Sequence, residues 1–288
     1  MNTDSAFYIG KTHDVCEDYA LSNENSIVLS DGCSGSLHTD IGSRLLCFNS
    51  LRLLSTLEQG DISYFQETEC LLEARPSTLL LNLPTECLDA TLLLANSNKY
   101  CTGACVYGDG YIIVELKDGN KYIINNEYVD NYPYYINYLY DHNRRLENWT
   151  EDHDKKKVSL SLLTTEGHYE IINDNCDFTE HIKEIEDPIF VVRSQLDRTI
   201  VEILDVEQVK YIAISSDGLG SFYESVTKDT SKINQPVSDT KVIEMLLSFK
   251  NFNGKFVQRR MNKFRKMCKQ QNWHHADDIS LGVIYLGE

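Results

Sequence analysis

Hydrophobic positions along this chain come in short runs, and most of the runs stop at a turn residue. Asn25 to Ser30 is one such run; it ends in Asp31-Gly32, which predicts a buried strand stopping at a turn. From Ile41 to Leu57 the spacing changes: Leu45, Leu46, Leu53 and Leu54 recur at helical intervals, so a helix is predicted there. A second helix is predicted over Ile62 to Ala74, ending near Pro76. Cys87 to Ala95 and Cys101 to Tyr107 read as paired strands, and Gly108-Asp109-Gly110 reads as a hairpin turn between Tyr107 and Tyr111. Tyr111 to Leu116 and Lys121 to Asn125 form another hairpin on Asp118-Gly119, and Val158 to Thr164 and His168 to Ile172 a third on Glu166-Gly167. Ile189 to Val192, Thr199 to Ile203 and Tyr211 to Ser215 read as strands, the last running into Ser216-Asp217-Gly218. Helices are predicted over Val242 to Phe249 and Phe256 to Gln271, the second basic on its exposed face. A final strand over Ile279 to Leu286 is entered from Asp277-Asp278. Strand next to strand in this way predicts antiparallel sheet, not βαβ units. Residues 126 to 157 are tyrosine-rich and then charged, with weak periodicity, and read as an irregular insertion. Its cluster from Tyr132 to Tyr140 reads as packing in preference to an interaction surface.

Composition narrows the class. With 288 residues, only 5 prolines and no linker-like stretch, one continuous domain over residues 1–288 is expected. The net charge of -17 disfavours nucleic acid and anionic membrane surfaces as partners and is compatible with cations, although the total locates no site. The 9 cysteines show no paired framework and no second pair at zinc-site spacing, which suggests a reducing compartment. The first ten residues lack the basic start and apolar core of a signal peptide, and no apolar run approaches the roughly 20 residues that span a bilayer. A soluble, cytoplasmic, monomeric protein is the expectation.

Candidate chemistry lies where strands end. Asp31 and Asp217 each follow a strand, Asp277 precedes one, and the pair Glu17-Asp18 precedes the first. If those ends converge, four or five carboxylates crowd one place, and like charges that close stay ionised only around a cation. Oxygen ligands without histidine favour Mg²⁺ or Mn²⁺ over zinc. Taken singly, each Asp-Gly is more often a turn than a ligand, because glycine tolerates positive φ and aspartate caps its own backbone; the weight lies on the set. No cysteine is followed six positions later by arginine, and neither a His-Glu-x-x-His helix nor a Walker-type glycine-rich loop of the form Gly-x-x-x-x-Gly-Lys-Ser/Thr is present.

The ordered set resembles the protein phosphatase 2C family of metal-dependent Ser/Thr phosphatases. An acidic pair followed by a small residue (Cys16-Glu17-Asp18-Tyr19-Ala20) comes first. It is followed by Asp31-Gly32-Cys33-Ser34-Gly35 and a helix, then Asp89-Ala90-Thr91-Leu92, and then Val106-Tyr107-Gly108-Asp109-Gly110. Ser215-Ser216-Asp217-Gly218-Leu219 and Asp277-Asp278-Ile279-Ser280 complete the series. The motifs span residues 13 to 286, and a divergent central segment at about 120–205 carries none. The resemblance implies an α+β fold: a four-layer α-β-β-α sandwich of two mostly antiparallel sheets flanked by helices, with metals at one edge. It implies catalytic roles for Asp31, Asp217 and Asp277, and metal ligation by Glu17 or Asp18, Asp31, the Gly32 carbonyl, Asp217 and Asp277. Asp109 falls near a weaker third metal. His13 falls where many members place a phosphate-binding arginine, with a surface histidine as the competing reading.

The implied cofactors are two Mn²⁺ or Mg²⁺ ions, and the implied reaction is hydrolysis of phosphoserine and phosphothreonine in proteins by a hydroxide bridging the metals. Two alternatives remain: a non-catalytic phosphatase-like regulatory or binding module, and a phosphatase for a small phosphomonoester. Three departures stand out. Cys33 takes a position where some members carry a histidine general acid, with His38 a candidate substitute weighed against a plain helix-start histidine. Ser221 takes the place of a second aspartate, which weakens the third metal site, and the basic phosphate ligand is missing at His13.

Overall fold

A computed structural model of the chain describes residues 1–288 apart from 57–61, 63–64, 66, 129–131, 150–155, 168, 174–188, 196 and 229–230. Strands and helices are numbered along the chain. One sheet of seven strands runs in the order β1 (Asn2–Tyr8), β16 (Ile279–Tyr285), β12 (Val209–Ser215), β6 (Gly110–Leu116), β7 (Lys121–Tyr128), β8 (Lys156–Leu163), β9 (Tyr169–Asn173). A second, of six, runs β10 (Phe190–Ser194), β11 (Arg198–Ile203), β5 (Thr102–Tyr107), β4 (Leu92–Ser97), β3 (Ser26–Ser30), β2 (Tyr19–Ser22). Every pairing within both sheets is antiparallel.

Side-chain alternation along the strands builds three cores. Ile112 and Val114 of β6, Ile212 and Ile214 of β12 and Ile284 of β16 face the second sheet, where they meet Ile27, Leu29, Leu93 and Val106. Their neighbours in sequence, Ile113, Tyr211, Ala213, Leu281 and Val283, face outward onto α4 (Asp239–Leu246) and α5 (Phe256–Gln270). On the other side Val28, Leu92, Leu94 and Cys105 face α1 (Thr39–Thr56) and α2 (Glu67–Leu80). Strands buried on both faces explain why the sequence reads as unbroken apolar runs there. The result is the expected four-layer α-β-β-α sandwich. No helix among the described residues is long and apolar enough to cross a membrane, and no disulfide joins two described cysteines.

Several expectations need correction. Gly108-Asp109-Gly110 does not close a hairpin: β5 pairs with β4 and β11, whereas β6 pairs with β12 and β7, so this turn carries the chain from one sheet to the other. Its glycines have φ of +89° and +130°, and a Cβ on Gly110 would meet the Ser215 carbonyl at 2.8 Å. α2 begins later than expected and runs through Pro76. The carbonyl that loses its partner belongs to Leu72, which is on the exposed side of the helix, where water can replace the donor. Part of the segment expected to begin this helix lies outside the described residues, as does His168 at the start of the third hairpin. Residues Cys87 and Leu88 belong to a 3-10 turn (Thr85–Leu88), and the strand starts at Leu92.

Elements absent from the sequence reading are β1, β2 and a small third sheet in the order β14 (Ser231–Pro236), β13 (Phe222–Lys228), β15 (Trp273–His275). β1 supports a helix as well as a sheet edge. Its Asp4 accepts the Val257 and Gln258 amides at 2.6 and 3.2 Å, capping an α5 that has no side-chain cap of its own. The insertion is partly regular. β7 extends to Tyr128, a 3-10 turn covers Ile136–Leu139, and α3 (His142–Asn148) is capped by the Asp141 carboxylate, which accepts the Arg144 amide. Tyr128, Tyr134 and Tyr138 are buried together beside Trp149 with edge-to-face ring contacts, so these tyrosines are core, whereas Tyr132 and Tyr140 are exposed.

Candidate active site

Strand register brings six chain ends to one rim of the sandwich. In the seven-stranded sheet Ser215, the last residue of β12, pairs with Tyr111 near the start of β6 and with Leu281 near the start of β16. Asp217 leaving β12, Asp109 entering β6 and Asp277 entering β16 therefore share one end. In the facing sheet Ser30, the last residue of β3, pairs with Tyr19, the first of β2. Asp31 leaving β3 and Asp18 entering β2 share that end, with Thr91 entering β4. The pairing continues past the strands: the Thr91 amide donates to the Asp31 carbonyl at 2.8 Å, the Cys33 amide to the Asp89 carbonyl at 2.9 Å, and the Asp31 amide to Thr91 Oγ1 at 3.2 Å.

A groove of about 230 Å³ opens at this rim. Asp31, Gly32, Thr91, Asp109, Asp217 and Asp277 line it, with Cys33 and Tyr135 on one wall. It adjoins a second hollow of about 450 Å³ that shares Asp109, Asp217 and Asp277 and adds Glu127 and Asp239. The Asp31 carboxyl is within hydrogen-bonding reach of the carboxyls of both Asp18 and Asp217. Burial and the Asp18 and Asp217 charges push Asp31 well above the ordinary carboxyl range. Burial raises Asp18 to about 7, burial and Asp217 raise Asp277 to about 6, and burial raises Asp109 and Asp217. Buried oxygens are left over: Oδ1 of Asp18 and Oδ1 of Asp217 have no hydrogen-bond partner. Among the described residues no three Asp, Glu, His or Cys side chains already stand around a common cation position.

The remaining site residues take different places. Of the acidic pair, Asp18 joins the cluster, held by Ser216 Oγ, which donates to its Oδ2 at 2.7 Å. Glu17 instead accepts from Ser34 Oγ at 2.6 Å and Thr39 Oγ1 at 2.9 Å, fixing the loop that follows Asp31. His13 pairs with Asp277 at 3.4 Å and Asp278 at 3.2 Å; burial would lower its pKa, but the Asp278, Asp277 and Glu17 carboxylates raise it overall. His38 is exposed at the start of α1 and does not line the groove. Ser221 ties together the loops that carry Asp217 and Asp277: its Oγ donates to the Gly218 carbonyl at 2.8 Å and accepts the Asp277 amide at 3.3 Å.

Sequence reasoning missed three contributors. Asp278, 1% exposed, accepts the Gly10 and Glu17 amides, both at 2.6 Å, and so seats the N-terminal segment against the rim. Asp239 accepts from Tyr111 Oη at 2.7 Å, and its position after Ser238 signalled only a helix start. Tyr135 comes from the insertion; its hydroxyl is within hydrogen-bonding reach of the Cys33 thiol, and burial pushes its pKa up.

The Asp-Gly glycines are needed for contact, not for turning. Neither Gly32 nor Gly218 has positive φ. A Cβ on Gly218 would stand 1.6 Å from the Asp278 carbonyl oxygen, and one on Gly32 would stand 2.6 Å from Thr39 Cβ. Direct backbone contact at Gly218 sets Asp217 beside Asp277. Gly218→Ala should therefore destabilise the fold by about 1–3 kcal/mol and lower turnover at least tenfold by parting the two loops. Wild-type melting and activity in that variant would show the contact to be dispensable.

The sequence model of the family described as protein phosphatase 2C matches residues 10–251. A search of curated proteins finds no match. Among solved structures, a point variant of a bacterial serine phosphatase is similar with a TM-score of 0.53 at 12% identity, over 100% of this chain and 99% of that one. Serine/threonine phosphatase Stp1 from Staphylococcus aureus gives 0.51 at 14% identity, over 99% and 95%. At such identities the structural likeness speaks for the fold. The chain belongs to the protein phosphatase 2C family, metal-dependent phosphoric monoester hydrolases of the Ser/Thr protein phosphatase type.

Proposed function

We propose that this chain hydrolyses phosphoserine and phosphothreonine in proteins at the rim groove, with two Mn²⁺ or Mg²⁺ ions as cofactors. The observation that carries this reading is the Asp31 carboxyl between those of Asp18 and Asp217, with two buried carboxylate oxygens left over. That donor set fits hard divalent cations, since only oxygen atoms are on offer and cations relieve the crowding of charge. Asp18, Asp31, the Gly32 carbonyl, Asp217 and Asp277 would hold the two ions, with Asp109 and Asp217 facing a weaker third. Bound there, the cations supply Lewis acidity, which activates water near neutral pH and neutralises charge on the phosphoryl oxygens.

The chain's own side chains set up the rest. Ser216 fixes one Asp18 oxygen and leaves the other for ligation. His13 Nε2 stands 3.4 Å from Asp277 Oδ1, and Thr91 fixes the Asp31 backbone. Tyr135 and Cys33 form the wall against which a phosphorylated residue would lie. No covalent enzyme intermediate is needed, because no side chain in the groove has to act as nucleophile. Hydrolysis of p-nitrophenyl phosphate and of a phosphothreonine peptide should require added Mn²⁺ or Mg²⁺ and disappear on chelation. Activity that survives full chelation would contradict the reading.

A further inference from the structure

The acidic side chains of this protein are unevenly distributed. From Met245 to Ala276 there is none, although the chain has 44, and eight of its 27 lysines and arginines fall in that stretch. Most of them lie on α5, where Lys263, Arg265, Lys266 and Lys269 are exposed. Beside this basic face is a pocket of about 230 Å³ between α5, β13 and β15. Its floor is apolar, made by the buried Phe222, Met261, Phe264, Trp273 and Ile279. Lys11, Arg265 and Lys269, all exposed, stand at its mouth, and no described carboxylate lines it. The Arg265 guanidinium lies 4.3 Å over the Tyr8 ring, which holds one of these cations in place.

We infer that this pocket is a docking site for a short acidic segment of a protein partner, one large apolar side chain of which enters the slot while its carboxylates meet Lys11, Arg265 and Lys269. Charge selects this occupant. A membrane or a nucleic acid spreads negative charge over an area wider than the patch and would face the strongly acidic remainder of the molecule. A short segment meets only the patch, because charges more than about 8 Å away are screened at physiological salt. Position gives the docking a purpose. β15 forms the pocket wall and leads within two residues to Asp277; His275 Nδ1 lies 2.9 Å from the Asp277 carbonyl oxygen, and the Lys11 amide donates to the His275 carbonyl at 3.1 Å. A segment seated here is anchored beside the groove, so its natural bearer is the phosphoprotein substrate. This last step rests on the proposed phosphatase function, whereas the docking itself does not.

The test is direct binding of a fluorescein-labelled peptide of glutamates and aspartates around a single phenylalanine, followed by anisotropy with the full chain. Binding should be saturable and should weaken at least tenfold in the R265E/K269E variant. Replacing the peptide's phenylalanine by alanine should weaken it at least fivefold, and raising salt should weaken it further. The double variant should hydrolyse p-nitrophenyl phosphate like the wild type but lose the lower KM gained when the acidic segment is joined to a phosphothreonine peptide. The inactive D217N chain should bind the labelled peptide normally, which separates failure of docking from failure of the phosphatase reading. Absence of binding, or binding indifferent to R265E/K269E, would overturn the proposal. So would sedimentation with phosphatidylserine vesicles that depends on Arg265 and Lys269 when the peptide fails to bind, which would assign the face to a membrane.

Discussion

Asp31→Asn should lower turnover by about 10²-fold or more, and the same change should raise the melting temperature of the metal-free protein near neutral pH. The two effects have one cause. Asp31 lies between Asp18 and Asp217, and burial together with those two charges holds its pKa well above the ordinary value. A carboxyl raised in the folded chain makes folding favourable below the unfolded pKa, and this advantage is lost as pH climbs through the folded pKa. Asp18 at about 7 and Asp277 at about 6, against 3.8 when unfolded, put the loss between about pH 4 and 7. For the fully buried Asp18 alone the penalty is on the order of a few kcal/mol once pH passes 7. His13, also raised overall, contributes in the same direction.

An asparagine removes the central charge, so in chelator the fall of melting temperature from pH 4 to 7 should be shallower in D31N than in the wild type. Saturating Mn²⁺ should reduce the fall in the wild type and have little effect in D31N. Asp217→Asn should behave alike. Equal slopes in wild type and D31N would mean that the carboxyls do not oppose one another in the folded chain.

Arg144→Ala should be the most damaging change away from the carboxylates, at about 3–5 kcal/mol of stability. Asp89 is 1% exposed, and its Oδ2 accepts from Arg144 Nε at 2.8 Å, Arg144 Nη2 at 2.7 Å and Ser36 Oγ at 2.9 Å. Its Oδ1 accepts from Asn137 Nδ2 at 2.8 Å. Removing the guanidinium leaves a buried charge on two neutral donors. Lysine cannot reproduce the forked contact, so Arg144→Lys should recover only part of the loss. Adding Asp89→Asn to Arg144→Ala should restore stability by removing the stranded charge. The site should feel the change as well, because Asp89 and Ser36 hold the loop from Asp31 to Ser36 and Arg144 belongs to the helix behind Tyr135. R144A should therefore bind Mn²⁺ more weakly than wild type even where it is folded. Urea denaturation of the wild type, R144A, R144K, D89N and R144A/D89N reads the energies; additivity of R144A and D89N would refute the pairing.

The parts legible in the sequence were those whose signal is local. Asp31, Asp217 and Asp277 announce themselves because a short carboxylate at the end of an apolar run is visible without knowing what faces it, whereas Asp109 sits in a turn and is marked only by the family resemblance. The helices α1, α4 and α5 have clean periodicity or amphipathic faces. Other features depend on which strand lies alongside. Gly108-Asp109-Gly110 has the composition of a hairpin, and nothing local distinguishes that from a passage between sheets. The strands β13 and β14 are mostly polar, because they form a small sheet outside the two large layers. Asp278 is chemically the same as Asp277, yet one faces backbone amides and the other the groove. Arg144 and Asp89 are brought together only by the fold, and α3, with seven residues, is too short for periodicity to reveal its buried side.

The most direct test is the number of Mn²⁺ ions bound at equilibrium by the wild-type chain, D31N and D217N, measured by dialysis with each protein's fold checked by circular dichroism. The account predicts two ions per wild-type chain and the loss of at least one in either variant. Wild-type stoichiometry in both variants, or no Mn²⁺ on the folded wild-type chain, would contradict it.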